Sequence, residues 1–201
     1  MCYRVQPLRL PQLQMALDLY RKTGHAQVKP APDPPKDAYP GSKLPLIAPG
    51  DEQQLVAVED TWGFPSPKQP SRRIFNTRLD TALKEQRGDY GMWADPISQG
   101  RCLIPVRSFY EAWTRPSKER PSAHSQVQFR LAGFKFFLLA GIRQDGLCSI
   151  ITTTPNAVVN QFHNRMPLVL DPGESSIWLG PNFADLADRS GINLTYAVEK
   201  E

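Results

Sequence analysis

Four β-rich runs follow one another in the middle of the chain, "RCLIPV", "VQFRLA", "FKFFLLAGI" and "LCSIITTT", separated by turn signals. Parallel neighbours need a long crossover, usually a helix, and no regular β-α alternation is present here. The runs therefore pair mostly antiparallel. "QLVAVEDTW" before them and "INLTYAV" after them add two more strands. Helical patterns are few and short. In "QLQMALDLYRKTG", Leu13, Ala16, Leu17 and Tyr20 share one apolar face ahead of Gly24, a stop signal. "DTALKEQ", "PNAVVNQF", "ESSIWLG" and "FADLADRSG" read as further short helices. The seven prolines between residues 30 and 49 predict an extended loop that packs on the body. The expected fold is α+β: one domain over residues 1–201, with a mostly antiparallel sheet and peripheral short helices.

Charge and cysteines narrow the function. The net charge is +4, which suits an anionic partner. Lys68, Arg72, Arg73 and Arg78 crowd into "SPKQPSRRIFNTR", just after the aromatic Trp62 and Phe64. Basic side chains beside aromatics are what a groove for single-stranded nucleic acid requires. Arg115, Lys118 and Arg120 form a second basic cluster, read equally well as a solvated loop. No apolar run is long enough for a membrane span, and the N-terminus lacks a signal-peptide core. The expectation is a monomer in the cytoplasm, associated with the nucleoid if bacterial, and no membrane partner. Cys2, Cys102 and Cys148 are odd in number and far apart, so no disulfide framework is implied. With three histidines and no C-x-x-C pair, neither a zinc site nor a cofactor is expected.

Cys2 directly follows Met1. Alone, such a cysteine reads as an inert terminal residue. With Met1 removed, however, it carries an amine and a thiol on adjacent carbons. Four stretches occur in order: "MCYR", "WGF…NTRLDT", "RCLIPVRSFYEAW" and "TTTPNAVVNQFHNRMPLVL". Together they resemble the SOS response-associated peptidase (SRAP) family of abasic-site-processing proteins, from Cys2 to about Leu179.

That resemblance implies a curled, barrel-like sheet and covalent capture of abasic sites in single-stranded DNA. It also implies a thiazolidine product and a self-processing peptidase activity. It assigns Glu111 to proton transfer and His163 to protonation of the sugar's ring oxygen. Asn76 is assigned to orienting the terminal residue. DNA contacts fall by the same resemblance on Arg4, Arg78, Arg165 and the loop of Pro40. Trp62 and Met166 are read as apolar walls, Arg72 and Arg73 as part of the basic stretch, and Trp113 as an aromatic beside Glu111. This chain departs from the family pattern at Tyr3, where Gly is usual, and at Asp80, where Glu is usual. Ala112 also shifts the tryptophan to position 113. Two other classes stay open: a cysteine hydrolase using the N-terminal thiol, and a non-enzymatic single-strand-binding module.

Overall fold

The structure, a computed structural model, describes residues 2–24, 36–51, 54–88, 90–114 and 124–199. The first half of the chain gives β1 (Arg4–Pro7), α1 (Leu10–Thr23), β2 (Lys43–Pro49), β3 (Leu55–Trp62), β4 (Phe64–Pro65), β5 (Arg73–Ile74), β6 (Asn76–Arg78), α2 (Leu79–Gly88) and α3 (Ala94–Gln99). The second half gives β7 (Arg101–Thr114), β8 (His124–Leu131), β9 (Phe137–Gln144), β10 (Leu147–Thr153), β11 (Met166–Pro167), β12 (Val169–Leu170), α4 (Ser175–Leu179) and β13 (Leu194–Val198). The fold is α+β.

Strands β9, β10, β3, β2 and β7 are neighbours in that order, and β7 pairs back onto β9. The sheet thus closes into a ring of five strands. β10 runs parallel to β3 and to β6. The other described pairings are antiparallel. Side chains alternate across the ring as the two-residue period of a strand requires. Cys102, Ile104, Leu139, Cys148 and Ile150 point into a core shared by all five strands, with Leu44, Leu46 and Trp62. Leu103, Ala140, Ile142 and Ile151 point the other way. There they are covered by Leu79 and Ala82 of α2, Ile97 of α3 and Trp178 of α4. α1 packs against β2 and β3 through Leu13 and Leu17.

The structure corrects several sequence expectations. Within the proline-rich stretch, Lys43–Pro49 is a strand, fully paired with β3. It meets β7 only at Ile47–Leu103, and a strand so nearly at an edge tolerates prolines that cannot donate. Residues 30–35 of that stretch lie outside the described residues, as does the cluster of Arg115, Lys118 and Arg120. "PNAVVNQF" makes only a 3₁₀ turn over Val159–Gln161. Asn156 Oδ1 accepts from the Val159 amide at 2.9 Å, and Phe162 leaves the turn to join an aromatic cluster. "FADLADRSG" is likewise a 3₁₀ turn, Phe183–Ala187. Tyr20, expected on the buried face of α1, is half exposed. α3 carries Pro96 within its first turn and was not anticipated. β7 continues well past "RCLIPV" through Glu111, changing neighbours from β9 to β1 and β8 on the way.

Candidate active site around Cys2

β1 carries the amino-terminal segment onto β7, with Arg4 opposite Tyr110 and Val5 opposite Phe109. Regular alternation from the buried Val5 would turn Tyr3 inward and Cys2 outward. The reverse is found. The strand begins only at Arg4, and the Tyr3 hydroxyl accepts a hydrogen bond from the Gln126 side-chain amide on β8. Cys2 is left to enter the ring core, where it is wholly buried. The bulky residue that replaces the usual glycine is thus accommodated along β8.

Two contacts fix Cys2. Its carbonyl accepts a hydrogen bond from Asn76 Nδ2 at 2.7 Å, and its thiol faces the Arg4 carbonyl, with Sγ 3.6 Å from the oxygen. Asn76 comes from β6, which lies on β10 with Asn76 opposite Ile150. Because Nδ2 is committed as a donor, the orientation of the amide is set. Its Oδ1 is buried and has no donor among the described residues.

Glu111 sits on β7 between Phe109 and Trp113 and is wholly buried. Desolvation raises its carboxyl pKa from the ordinary 4.5 to about 7. Burial, and then the charge of Glu111, push the Cys2 thiol well above its usual range. The thiol is therefore protonated at neutral pH, and Glu111 is poised between its two forms.

His163 is half-buried, and desolvation lowers its pKa. Its Nδ1 lies 3.0 Å from the Arg165 amide nitrogen and 2.9 Å from the Arg165 carbonyl oxygen. Nδ1 is engaged by that backbone in either tautomer. Asn76 from β6 and Glu111 from β7 thus meet at Cys2, the first by a hydrogen bond to its carbonyl and the second through its charge on the thiol.

The expected DNA contacts divide sharply. Arg78 and Arg165 reach the same neighbourhood, bridged by Asp80. Arg72 and Arg73 are exposed on the β4–β5 ribbon, with Arg73 donating to the Gly63 carbonyl at 3.1 Å. Pro40 is half-buried, and the next residue, Gly41, donates its amide to the Trp62 carbonyl at 2.7 Å. Trp113 packs edge-on against Phe162, with ring centroids 5.4 Å apart.

Three of the expected contacts need correction. Trp62 and Met166 have no exposed surface. Trp62 Nε1 donates to the Phe75 carbonyl at 2.8 Å, and the Met166 sulfur accepts from the Asn156 amide at 3.3 Å. Both support the site from beneath and offer no wall to a strand. Arg4 is spent on the fold. It pairs with Asp37 at 2.7 Å and Glu199 at 2.6 Å, and its guanidinium lies 3.9 Å above the Tyr110 ring centre. No local signal marked this clamp, since Asp37 and Glu199 are 33 and 195 residues away.

Arg4→Ala is expected to lower stability by about 1–3 kcal/mol, because two carboxylates and an aromatic face lose their partner together. Urea denaturation measures it; an unchanged midpoint would show the clamp to be incidental. Cys102 and Cys148 are buried in the ring with thiol pKa values pushed up by desolvation, and neither is in a disulfide. Among the described residues, no group of three or more His, Cys, Asp or Glu is arranged to hold a metal ion. No described helix is long and apolar enough to cross a membrane.

Residues 1–199 match the family described as SOS response associated peptidase (SRAP). "Abasic site processing protein YoqW" of Bacillus subtilis is 28% identical over 151 residues, 71% of this chain and 64% of its own length. The chain therefore spans somewhat less than two thirds of that curated relative. "Abasic site processing protein YobE" of the same organism is 27% identical over 165 residues, 78% of this chain and 72% of its own. A crystal structure of a Bordetella bronchiseptica protein covers all of both chains at a TM-score of 0.71 and 19% identity. A phage-related protein of that organism gives 0.70 and 20%, covering 100% of this chain and 95% of its own.

Proposed function

The chain belongs to the SRAP family, and on that premise we propose that it captures abasic sites in single-stranded DNA through Cys2, once Met1 has been removed. Met1 lies outside the described residues. The observation that carries this reading is a pairing. Cys2 is held by Asn76 in the ring core, and the neighbouring carboxyl, Glu111, has a pKa raised to about 7. Asn76 Oδ1 adds support. It is a buried acceptor of the kind that an ammonium on Cys2 would supply with a proton.

The chemistry follows from the sugar. In its open form an abasic sugar is an aldehyde. The neutral Cys2 amine adds to that carbonyl carbon, and loss of one water leaves a C=N bond. The thiol sulfur then adds to the imine carbon while its proton passes to the nitrogen, closing a five-membered thiazolidine. No redox partner is needed. The addition requires a base to clear the ammonium, and the loss of water requires an acid. A carboxyl titrating near neutrality serves both. In this reading His163 gives a proton to the ring oxygen as the sugar opens. A protonated thiol suits the second step, because its proton has an acceptor in the imine nitrogen. Arg78, Arg165, Arg72 and Arg73 then supply the positive charge that holds the strand. The peptidase activity in the family's name fits the same thiol, with removal of Met1 as the reaction that would prepare the site.

A denaturing gel tests the reading. The protein incubated with an abasic oligonucleotide is expected to yield a slow band that survives denaturation. A hydrolase would give no such band and would cleave an amide substrate instead. A non-enzymatic module would bind the strand under native conditions only.

A further inference from the structure

Asp80 stands between two arginines that reach the site from different parts of the chain. Its carboxylate takes Arg78 at two points, Oδ2 to Nη2 at 2.7 Å and Oδ1 to Nε at 3.2 Å. The same Oδ1 lies 3.4 Å from Nη2 of Arg165. Arg78 is two residues beyond Asn76 on β6, and the backbone of Arg165 holds the His163 ring. Asp80 thus joins the segment carrying Asn76 to the segment carrying His163.

Arg165 is short of acceptors. Nη2 reaches the Thr152 carbonyl at 2.8 Å, but Nε is buried and has no acceptor among the described residues. Two guanidinium forks converging on one anion form the arrangement that recognises a phosphodiester. Here a side chain of the protein itself holds that place. The side chains of Arg78 and Asp80 are each 58% exposed, and ion pairs so open to water contribute little to stability. Exchange for another anion is therefore easy. Asp80 also lies in the first turn of α2, where a carboxylate is favoured by the helix dipole. That preference needs no arginine partners and does not explain the bridge.

Building on the abasic-site reading above, we propose that Asp80 is a resident counter-anion of the Arg78–Arg165 pair, displaced by a phosphate of the incoming strand. It then sets how tightly, and how salt-sensitively, single-stranded DNA is held. Replacing the carboxylate with a neutral side chain leaves both arginines to the DNA without competition.

The test is non-covalent binding of an intact oligothymidylate to the full chain, followed by fluorescence anisotropy over a range of salt. Asp80→Asn is the first variant. Asp80→Ser, which also suits the start of a helix, is the second should the first fold poorly. Both are expected to bind about three- to tenfold more tightly at low salt. The log–log salt slope is expected to steepen by up to about 0.7, one phosphate contact. The gain should disappear when Arg78→Ala is added. Wild-type affinity or weaker in both variants overturns the inference, as does a gain that survives Arg78→Ala. If the wild type itself binds no single strand, the abasic-site reading is what fails.

Discussion

Cys2→Ser is expected to abolish the stable DNA adduct completely while leaving a weaker one that borohydride can trap. The serine variant keeps the terminal amine, so the C=N bond still forms. Its hydroxyl is a poor substitute for sulfur in closing the ring. It must also act from a buried position, where the cysteine thiol is already held protonated. The serine oxygen is smaller than sulfur and the site is otherwise unchanged. Asn76 still reaches the backbone carbonyl of residue 2, so the geometry of the amine is preserved. Cys2→Ala should behave in the same way, since neither variant offers a ring-closing sulfur. The comparison needs two gels of the same reaction, one after heating and one after reduction. A heat-stable band of wild-type intensity from Cys2→Ser would rule out sulfur as the ring-closing atom.

Glu111→Gln is expected to slow adduct formation by about 10²-fold at saturating abasic DNA, since it removes the proton carrier and keeps the shape. The same substitution should move stability in the opposite direction. Glu111 has a folded pKa of about 7 against an ordinary 4.5, raised by desolvation. A carboxyl shifted in this direction favours the fold while it is protonated. That contribution is fully present below about pH 4.5 and is lost as pH rises through 7. The wild type should therefore lose on the order of 3 kcal/mol over that window from this group. Glu111→Gln should show a flat profile there and exceed the wild type in stability at pH 8. Single-turnover kinetics and denaturation at several pH values together separate the two effects. A variant as fast as the wild type, with the same stability profile, would remove Glu111 from the mechanism.

The opposed effects on rate and stability explain why Glu111 stood out in the sequence only through resemblance. Nothing local in the sequence required a buried charge there. The β-rich runs did mark strands of the ring, whose closure only the resemblance implied. In the structure, Cys102, Ile104, Leu139, Cys148 and Ile150 alternate with outward partners. The two parallel pairings of β10 were not visible, because they join runs separated by long stretches of chain. The strand at Lys43–Pro49 was hidden by its prolines, whose local stiffness gave way to pairing with β3.

Asn76, Glu111 and His163 each lie in a short motif, and that alone assigns them to the candidate site. The fate of the arginines was not legible. Arg4 and Arg78 look alike in sequence, both basic and both near a motif residue. Asp37 and Glu199 capture one, while Asp80 leaves the other half open to solvent. That distinction arises only when distant carboxylates are brought together. Trp62 was misread for a related reason: an aromatic ahead of a basic run suggests a surface for stacking, and only the closed ring shows it to be interior.

The central claim is that the terminal aminothiol of Cys2 forms the bond to DNA, and intact mass spectrometry of the purified adduct tests it most directly. The account predicts a single species. Its mass equals the chain without Met1 plus the abasic oligonucleotide, less one water, and digestion places the linkage on Cys2. An adduct on a chain that retains Met1, or a linkage at any other residue, would contradict it.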